Sequence, residues 1–162
     1  MKIYEVSYTQ KLPTTLDKAW AYFTNPDNLE VLTPKDMGLR NKVSAKEILV
    51  HSDNSLYIGK LITHNIKLLP FLPFRMDWVS EITHLESKHY FVDQQVTGPY
   101  AYWHHTHIFR EIPQGIEAID VIRYALPLGV LGRMMQPVFI QPKLQEVFAF
   151  RHKILEAHFG KI

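Results

Sequence analysis

Six strand-like segments between Val43 and Leu126 are joined by links of only a few residues, and this spacing limits the folds open to the chain. The segments span about 43–51, 56–68, 74–86, 89–97, 101–112 and 115–126. The turns fall at Asp53-Asn54, at 70–73, at Ser87-Lys88, at Gly98-Pro99 and at Pro113-Gln114-Gly115. Parallel strands need a crossover of a dozen or more residues, whereas antiparallel strands close through a short hairpin. Links this short dictate an antiparallel meander.

The flanks are helical. Ile3 to Leu12 reads as a first strand, and Pro13-Thr14-Thr15 stops it. Thr14 is the expected N-cap, with Asp17 three residues on. Leu16, Ala19, Trp20 and Phe23 recur at helical spacing to about Thr24, as ordinary core. Asn25-Pro26-Asp27 restarts a short helix through Val31, which Thr33-Pro34 ends. Beyond Pro127 the chain is helical in character to Phe159, with interruptions expected at Pro137 and Pro142. The long piece is placed at 142–159, with Leu144, Val147, Phe148, Ile154 and Leu155 facing inward. Arg151-His152 could add polar groups to the cavity, but a solvated helix face is the expected placement. The order is α+β, in a single domain over 1–162.

At 162 residues, 46% hydrophobic and 21% charged, the chain can bury a sizeable core. Its net charge is +2, and its Lys and Arg residues form no run. That pattern excludes a nucleic-acid footprint. Without cysteine there is neither disulfide nor thiol chemistry, which fits a reducing compartment. Met1-Lys2-Ile3-Tyr4-Glu5 has no apolar run after its Lys, so no signal peptide is expected, and no apolar stretch approaches the roughly 18 residues of a membrane helix. A cytoplasmic location without stable membrane insertion follows as an expectation.

Within the fifth segment the residues are unusual. Side chains of a strand alternate between faces, so Trp103, His105, His107 and Phe109 form one row, and Tyr102, His104, Thr106 and Ile108 the other. Two imidazoles between two aromatic rings suit neither a plain core nor a plain surface. They suit the wall of a cavity that is mostly apolar. The turn at Gly98-Pro99 pairs residues whose numbers sum to about 198: Asp93 with His105, Gln95 with Trp103, Phe91 with His107. The turn at 113–115 gives a sum of 227 or 229. Asp120 then lies beside His107 or Phe109, and Tyr124 beside Trp103 or His105. Because Glu117 and Arg123 prefer water, the Ala118, Asp120, Ile122 and Tyr124 face should point inward. A slip of one residue would invert every assignment.

Asp93, Gln95, Trp103, His105, His107, Phe109, Asp120 and Tyr124 are therefore the expected lining of a ligand site, with the polar members converging in an apolar cavity. Buried carboxylates need partners, so the same pairs could simply tie the strands together. An Asp-oriented His could also act as general acid or base, with His105, His107 and Asp120 as candidates. His105-x-His107 with Asp93 or Asp120 has the composition of a metal site, but the spacing alone is unspecific; no metal and no cofactor are assigned. Trp78 is a further candidate for the wall. His51, His64, His84, His89 and His158 have no partner pattern.

Alternate turns of a meander share one end. The 69–73 turn, the 98–100 turn and the 127–132 connection should lie together, and all three are apolar. Phe71, Phe74, Tyr100, Leu128 and Leu131 are the expected pocket mouth, with Gly129 and Gly132 allowing movement. The same surface could contact a membrane or a protein partner.

Three local patterns carry a resemblance: Phe91-Val92-Asp93-Gln94-Gln95 leading to Gly98-Pro99; Trp103-x-His105-x-His107-x-Phe109; and Asp120-x-Ile122-x-Tyr124-x-Leu126-Pro127-Leu128-Gly129, with Phe148-Ala149-Phe150-Arg151-His152 beyond. With the element order, they resemble the START-like (Bet v 1-like, polyketide cyclase/dehydratase) superfamily over nearly the whole chain. Within it they resemble a bacterial ligand-binding subfamily, some of whose members are fused to epimerase-like domains. The resemblance implies a helix-grip fold: a curved antiparallel sheet of about seven strands around a long C-terminal helix, with two short helices after strand 1. It implies a cavity between sheet and helix for a small hydrophobic molecule, whether lipid, sterol-like or polyketide-like. The alternative it implies is a cyclase or dehydratase using a His–Asp pair as acid–base. An interaction module using the apolar loops is a third reading.

Overall fold

The structure is a computed structural model that describes residues 1–42, 55–67 and 74–162. Its elements are β1 (Tyr4–Leu12), α1 (Leu16–Phe23), α2 (Asn28–Val31), a 3-10 turn (Lys35–Met37), β2 (Arg40–Lys42), β3 (Leu61–Ile66), β4 (Met76–Glu86), β5 (Tyr90–Thr97), β6 (Tyr102–Ile112), β7 (Gly115–Ala125), α3 (Gly129–Met135), a π-turn (Gln136–Ile140) and α4 (Gln141–Phe159). The strands form one antiparallel sheet in the order β1-β7-β6-β5-β4-β3-β2. The meander is as the link lengths dictate, and β1 closes it on the far edge against β7. The expected 43–51 strand, the Asp53-Asn54 turn, the 69–73 turn and Phe71 lie outside the described residues.

The sheet wraps because β4 and β5 slip register twice, between Val79 and Ser80 and between Ile82 and His84. Each irregularity bends the pair and increases its twist. α4 lies in the concave side, presenting Leu144, Phe148, Arg151 and Leu155 at intervals of four, three and four residues. This is the helix-grip fold. Tyr8 stacks on Phe148 at 3.9 Å between centroids, which seats the helix on β1. Gln10 Nε2 donates to the carbonyl of His152 at 3.0 Å, so this turn of α4 is held by backbone as well as side chains.

α1 is capped by Thr15 rather than Thr14: its hydroxyl accepts from Lys18 N–H. One end of the concave space is solid. There Trp20 meets Phe91 and Phe109 edge-on, with Leu12, Ile116, Ala118 and Leu155 buried around them. Gly115 permits this closure, since its φ is +148° and a Cβ there would lie 2.1 Å from the carbonyl oxygen of Leu12.

The α-helix is interrupted at Pro137, as expected, by a π-turn rather than a break, and the long piece begins at Gln141. The chain stays helical from Gly129 to Phe159. Pro142 falls in the first turn of α4, where no donor is needed. Pro137 falls in the π-turn, whose wider loop absorbs the lost hydrogen bond. Gly132 permits close packing, since a Cβ would sit 2.0 Å from the carbonyl oxygen of Pro127.

Candidate functional site

The inner row of β6 is set by the hairpin registers. Asp93 faces His105 and Phe91 faces His107 across β5, as a sum of 198 requires. Across β7 the sum is 227, so Asp120 faces His107 and Tyr124 faces Trp103. Trp103, His105, His107 and Phe109 are all buried, as are Ala118, Asp120, Ile122 and Tyr124 on β7. Arg123 stays on the outer face, where its Nε donates to Glu5 at 2.6 Å. The face that carries Arg123 and Glu117 is the outer one, and the Asp120 face is the inner one.

Two imidazoles and two carboxylates interlock. His105 Nε2–H donates to Asp120 Oδ1 at 2.8 Å, and His107 Nε2–H donates to Asp93 Oδ2 at 3.0 Å. The cross contacts complete the set: His105 Nδ1 lies 3.4 Å from Asp93 Oδ2 and His107 Nδ1 2.9 Å from Asp120 Oδ1. The last of these is close but not aligned as a hydrogen bond. The two rings lie 3.8 Å apart between centroids, and Phe91 stacks on His107 at 4.2 Å.

A fifth member comes from α4. Arg151 is 6% exposed, and its Nη1 lies 3.5 Å from Asp120 Oδ1. Of the two placements open from the sequence, the cavity side is the one Arg151 takes, not the solvated face. Its spacing was the available signal, since 151 falls on the stripe 144, 148, 151, 155. A buried guanidinium needs a carboxylate, and Asp120 supplies it.

These charges set the protonation pattern. Burial raises Asp120, but the contacts of His105 and His107 and the charge of Arg151 outweigh it and hold this carboxyl well below the usual range. Asp93 is likewise lowered, burial being overcome by the two imidazoles and by His64. Burial opposes charge on His107, yet Asp120 and Asp93 prevail and its pKa rises. His105 is lowered, by burial and by the neighbouring charge of His107. The shift of His107 toward its charged form, with the guanidinium of Arg151, offsets the two carboxylates, as burial of a charged cluster requires.

Beside this cluster lies a cavity of about 200 Å³ between sheet and α4. Asp93, Trp103, His105, His107 and Arg151 reach its wall, with Ile62, His64 and Ile66 from β3 and Trp78, Ser80 and Ile82 from β4. Most of the remaining wall is apolar, including Leu144, Val147 and Phe148 of α4. His64, without an evident partner in the sequence, donates Nδ1–H to Asn41 Oδ1 at 2.8 Å; burial lowers its pKa to about 4.

Four of the expected lining residues do not reach the cavity. Asp120 stands behind the two histidines and holds them. Tyr124 is fully buried, its hydroxyl accepting from Gln136 Nε2 at 3.2 Å. Phe109 belongs to the solid end. Gln95 falls beyond the paired part of the hairpin, where its Nε2 donates to Tyr100 O at 2.8 Å and its Oε1 accepts from Tyr100 N–H. The reason is that the hairpin ladder ends at Gln94 and His104, so the sum of 198 stops applying.

Of the expected mouth, Tyr100 lines the cavity. Phe74, Leu128 and Leu131 do not; they are 75%, 74% and 57% exposed. The lining is completed instead by Tyr22, Asn25 and Pro26, and by Phe139 and Ile140 of the π-turn. Neither part carried a sequence signal, because the rim depends on where α1 and the π-turn pack. No helix among the described residues is long and apolar enough to cross a membrane.

Solved structures share this architecture at low identity. Protein CV1439 from Chromobacterium violaceum superposes with a TM-score of 0.69 at 10% identity, over 98% of this chain and 99% of that one. TTHA0849 from Thermus thermophilus gives 0.66 at 11%, over 96% and 99%. A point mutant of Thalictrum flavum norcoclaurine synthase, in complex with a transition-state analogue, gives 0.65 at 11%, over 97% and 96%. These likenesses are of fold, and norcoclaurine synthase places that fold among the Bet v 1-like proteins. No curated protein matches the chain in sequence. The model of one family matches residues 11–159, nearly the whole fold from the end of β1 to the end of α4, and the chain belongs to that family, described as Domain of unknown function (DUF8410).

Proposed function

We propose that this protein binds a small, largely apolar molecule with one polar end in the cavity between sheet and α4. One observation carries the reading: an apolar wall that includes Ile62, Ile66, Trp78, Leu144 and Val147 meets the charged cluster of Asp93, His105, His107 and Arg151, with Asn25, Asn28 and Lys143 among the other polar groups that line it. Sparse convergent polar groups in an apolar cavity are the usual composition of a small-molecule site. Both imidazole contacts of Asp93 fall on Oδ2, so its carboxylate suits a hydroxyl or amino group on the ligand. The volume of about 200 Å³ lies below the ~300–1,000 Å³ of sites for drug-sized ligands. It favours a one- or two-ring compound or a short acyl chain over a sterol. Absence of cysteine supports the cytoplasmic placement.

Acid–base catalysis of the cyclase or dehydratase type is the second reading. It is favoured by the His107–Asp93 pair at the cavity wall and by the fold shared with norcoclaurine synthase. Against it, each of the four ring nitrogens already lies within 3.4 Å of a carboxylate oxygen. The ring nitrogens are thus engaged within the cluster rather than presented singly to a substrate.

Native mass spectrometry of the purified chain tests the proposal, together with titration of an anilinonaphthalene dye. Bound low-mass species and saturable dye binding are expected, both lost in the cavity-filling variant Ile62→Trp with the fold retained. Dye binding unchanged in that variant would overturn the assignment of the cavity.

A further inference from the structure

We propose that Asp93, His105 and His107 form a binding site for one divalent transition-metal ion at the polar corner of the cavity. The donor atoms are His105 Nδ1, His107 Nε2 and one carboxylate oxygen of Asp93, the Nε2 proton that His107 gives to Asp93 leaving to solvent as the ion binds, and the ligand atoms of the three residues all lie within 4.8 Å of one another. The two nitrogen-to-oxygen separations are 3.4 and 3.0 Å. Ligands about 2.0–2.2 Å from a common ion lie roughly 3.0–3.4 Å apart in tetrahedral or octahedral geometry. These two separations are already at the spacing an ion requires.

A second, independent feature is the arrangement behind the donors. Each imidazole turns its other nitrogen to Asp120 Oδ1, His105 Nε2 at 2.8 Å and His107 Nδ1 at 2.9 Å. A metal-bound histidine typically gives its remaining N–H to a carboxylate, which fixes ring orientation and tautomer. Here Asp120 accepts from His105 Nε2–H and lies 2.9 Å from His107 Nδ1, without the alignment of a hydrogen bond to the second ring. The three donor residues reach the cavity wall, whereas Asp120 does not. Arg151 then compensates Asp120 from α4, as an outer carboxylate in a buried setting requires.

The donor set defines the class of ion. Two imidazoles and one carboxylate suit Zn²⁺, Fe²⁺, Co²⁺ or Ni²⁺, and with no thiolate they disfavour soft ions such as Cu⁺. Three protein ligands leave at least one position open on the cavity side, the pattern of sites that take an exogenous ligand. Asp93 neutralises one charge of the ion, and Asp120 and Arg151 cancel each other. The net single positive charge left at the corner suits a water, or a phenolate or carboxylate oxygen of a cavity ligand.

This inference stands apart from the proposed function, because an apolar molecule can fill the cavity with or without an ion. The test uses the full chain, stripped by chelator and titrated with Co²⁺. One equivalent should bind with the ligand-field bands of a low-coordinate site, and Zn²⁺ should displace it. Asp93→Asn and His107→Gln should each weaken binding at least 100-fold. Asp120→Asn should cost 10- to 100-fold, the usual effect of an outer-shell change. The control His84→Gln/His89→Gln removes two exposed imidazoles and should leave affinity unchanged. Should the ligand variants not fold, the wild type still decides: Co²⁺ must broaden amide resonances centred on His105 and His107. Absence of saturable binding, broadening centred elsewhere, or wild-type affinity in Asp93→Asn would each overturn the site. Dye binding in excess chelator reads the cavity separately, so the two proposals fail independently.

Discussion

Trp103 and Phe109 lie on one row of one strand, yet they do opposite things. Phe109 is locked among Trp20, Phe23 and Phe91 at the solid end, with ring centroids 5.1–6.2 Å away. Trp103, six residues earlier, has Trp78 and Tyr100 on one side and the cavity on the other. Between them His105 and His107 mark the change from packed core to lined space. Period-two alternation puts all four inside, but it cannot say what stands opposite. The occupants opposite are α1 at one end and the rim at the other. Burial alone thus does not distinguish core from site; the difference is whether the facing element fills the volume.

The sharpest way to break this comparison is to truncate both rings. Phe109→Ala should cost about 3–5 kcal/mol in chemical denaturation, because its neighbours cannot collapse into the hole. Trp103→Ala should cost clearly less than Phe109→Ala and should abolish dye binding, since one side of the ring already faces open space. Equal costs would show that the two ends are packed alike.

Arg151→Met tests whether the polar corner depends on its fifth member. Removing one partner of a buried ion cluster costs about 3 kcal/mol or more, so this variant should be strongly destabilised in equilibrium unfolding. A neutral effect would show that Asp120 is satisfied by the histidines alone.

His64 extends the comparison to β3. It is buried and neutral in the fold, with a pKa of about 4, and takes up a proton near 6.5 once unfolded. The unfolded state therefore binds more protons between these values, and stability falls as pH drops from about 6.5 to about 4. The full effect is roughly 3 kcal/mol, at about 1.4 kcal/mol per pKa unit. His64→Gln should remove this part of the acid sensitivity; identical pH profiles for variant and wild type would refute it.

The smallest effect belongs to the outer face of β7. Arg123 and Glu5 form an exposed pair, so Arg123→Ala should change stability by less than about 1 kcal/mol, with the loss shrinking further in high salt. A large loss would mean that the outer face is not simply solvated.

Much of this arrangement was legible in the sequence. Hairpin links are short and their pairing is arithmetic, so the facing of Asp93 with His105 and of Asp120 with His107 followed from turn positions alone. Charge on Glu117 and Arg123 told inside from outside. Gln95 escaped because the ladder ends one pair before it. Arg151 escaped because charge outweighed spacing in the reading, while in the molecule the buried carboxylate of Asp120 outweighs the cost of burying a guanidinium.

What the sequence by itself determined is what local geometry controls: strand period, hairpin register, the facing of the central rows and the course of the terminal helix. Only the tertiary structure decided which inward residues touch the cavity, where its rim lies, and that one carboxylate holds two imidazoles from behind while a helix braces it. Those facts depend on residues 14 to 31 positions apart meeting in space. They depend too on how far α1, α4 and the π-turn approach a curved sheet, a distance set by the volumes of side chains on all of them together and by no local pattern in any one.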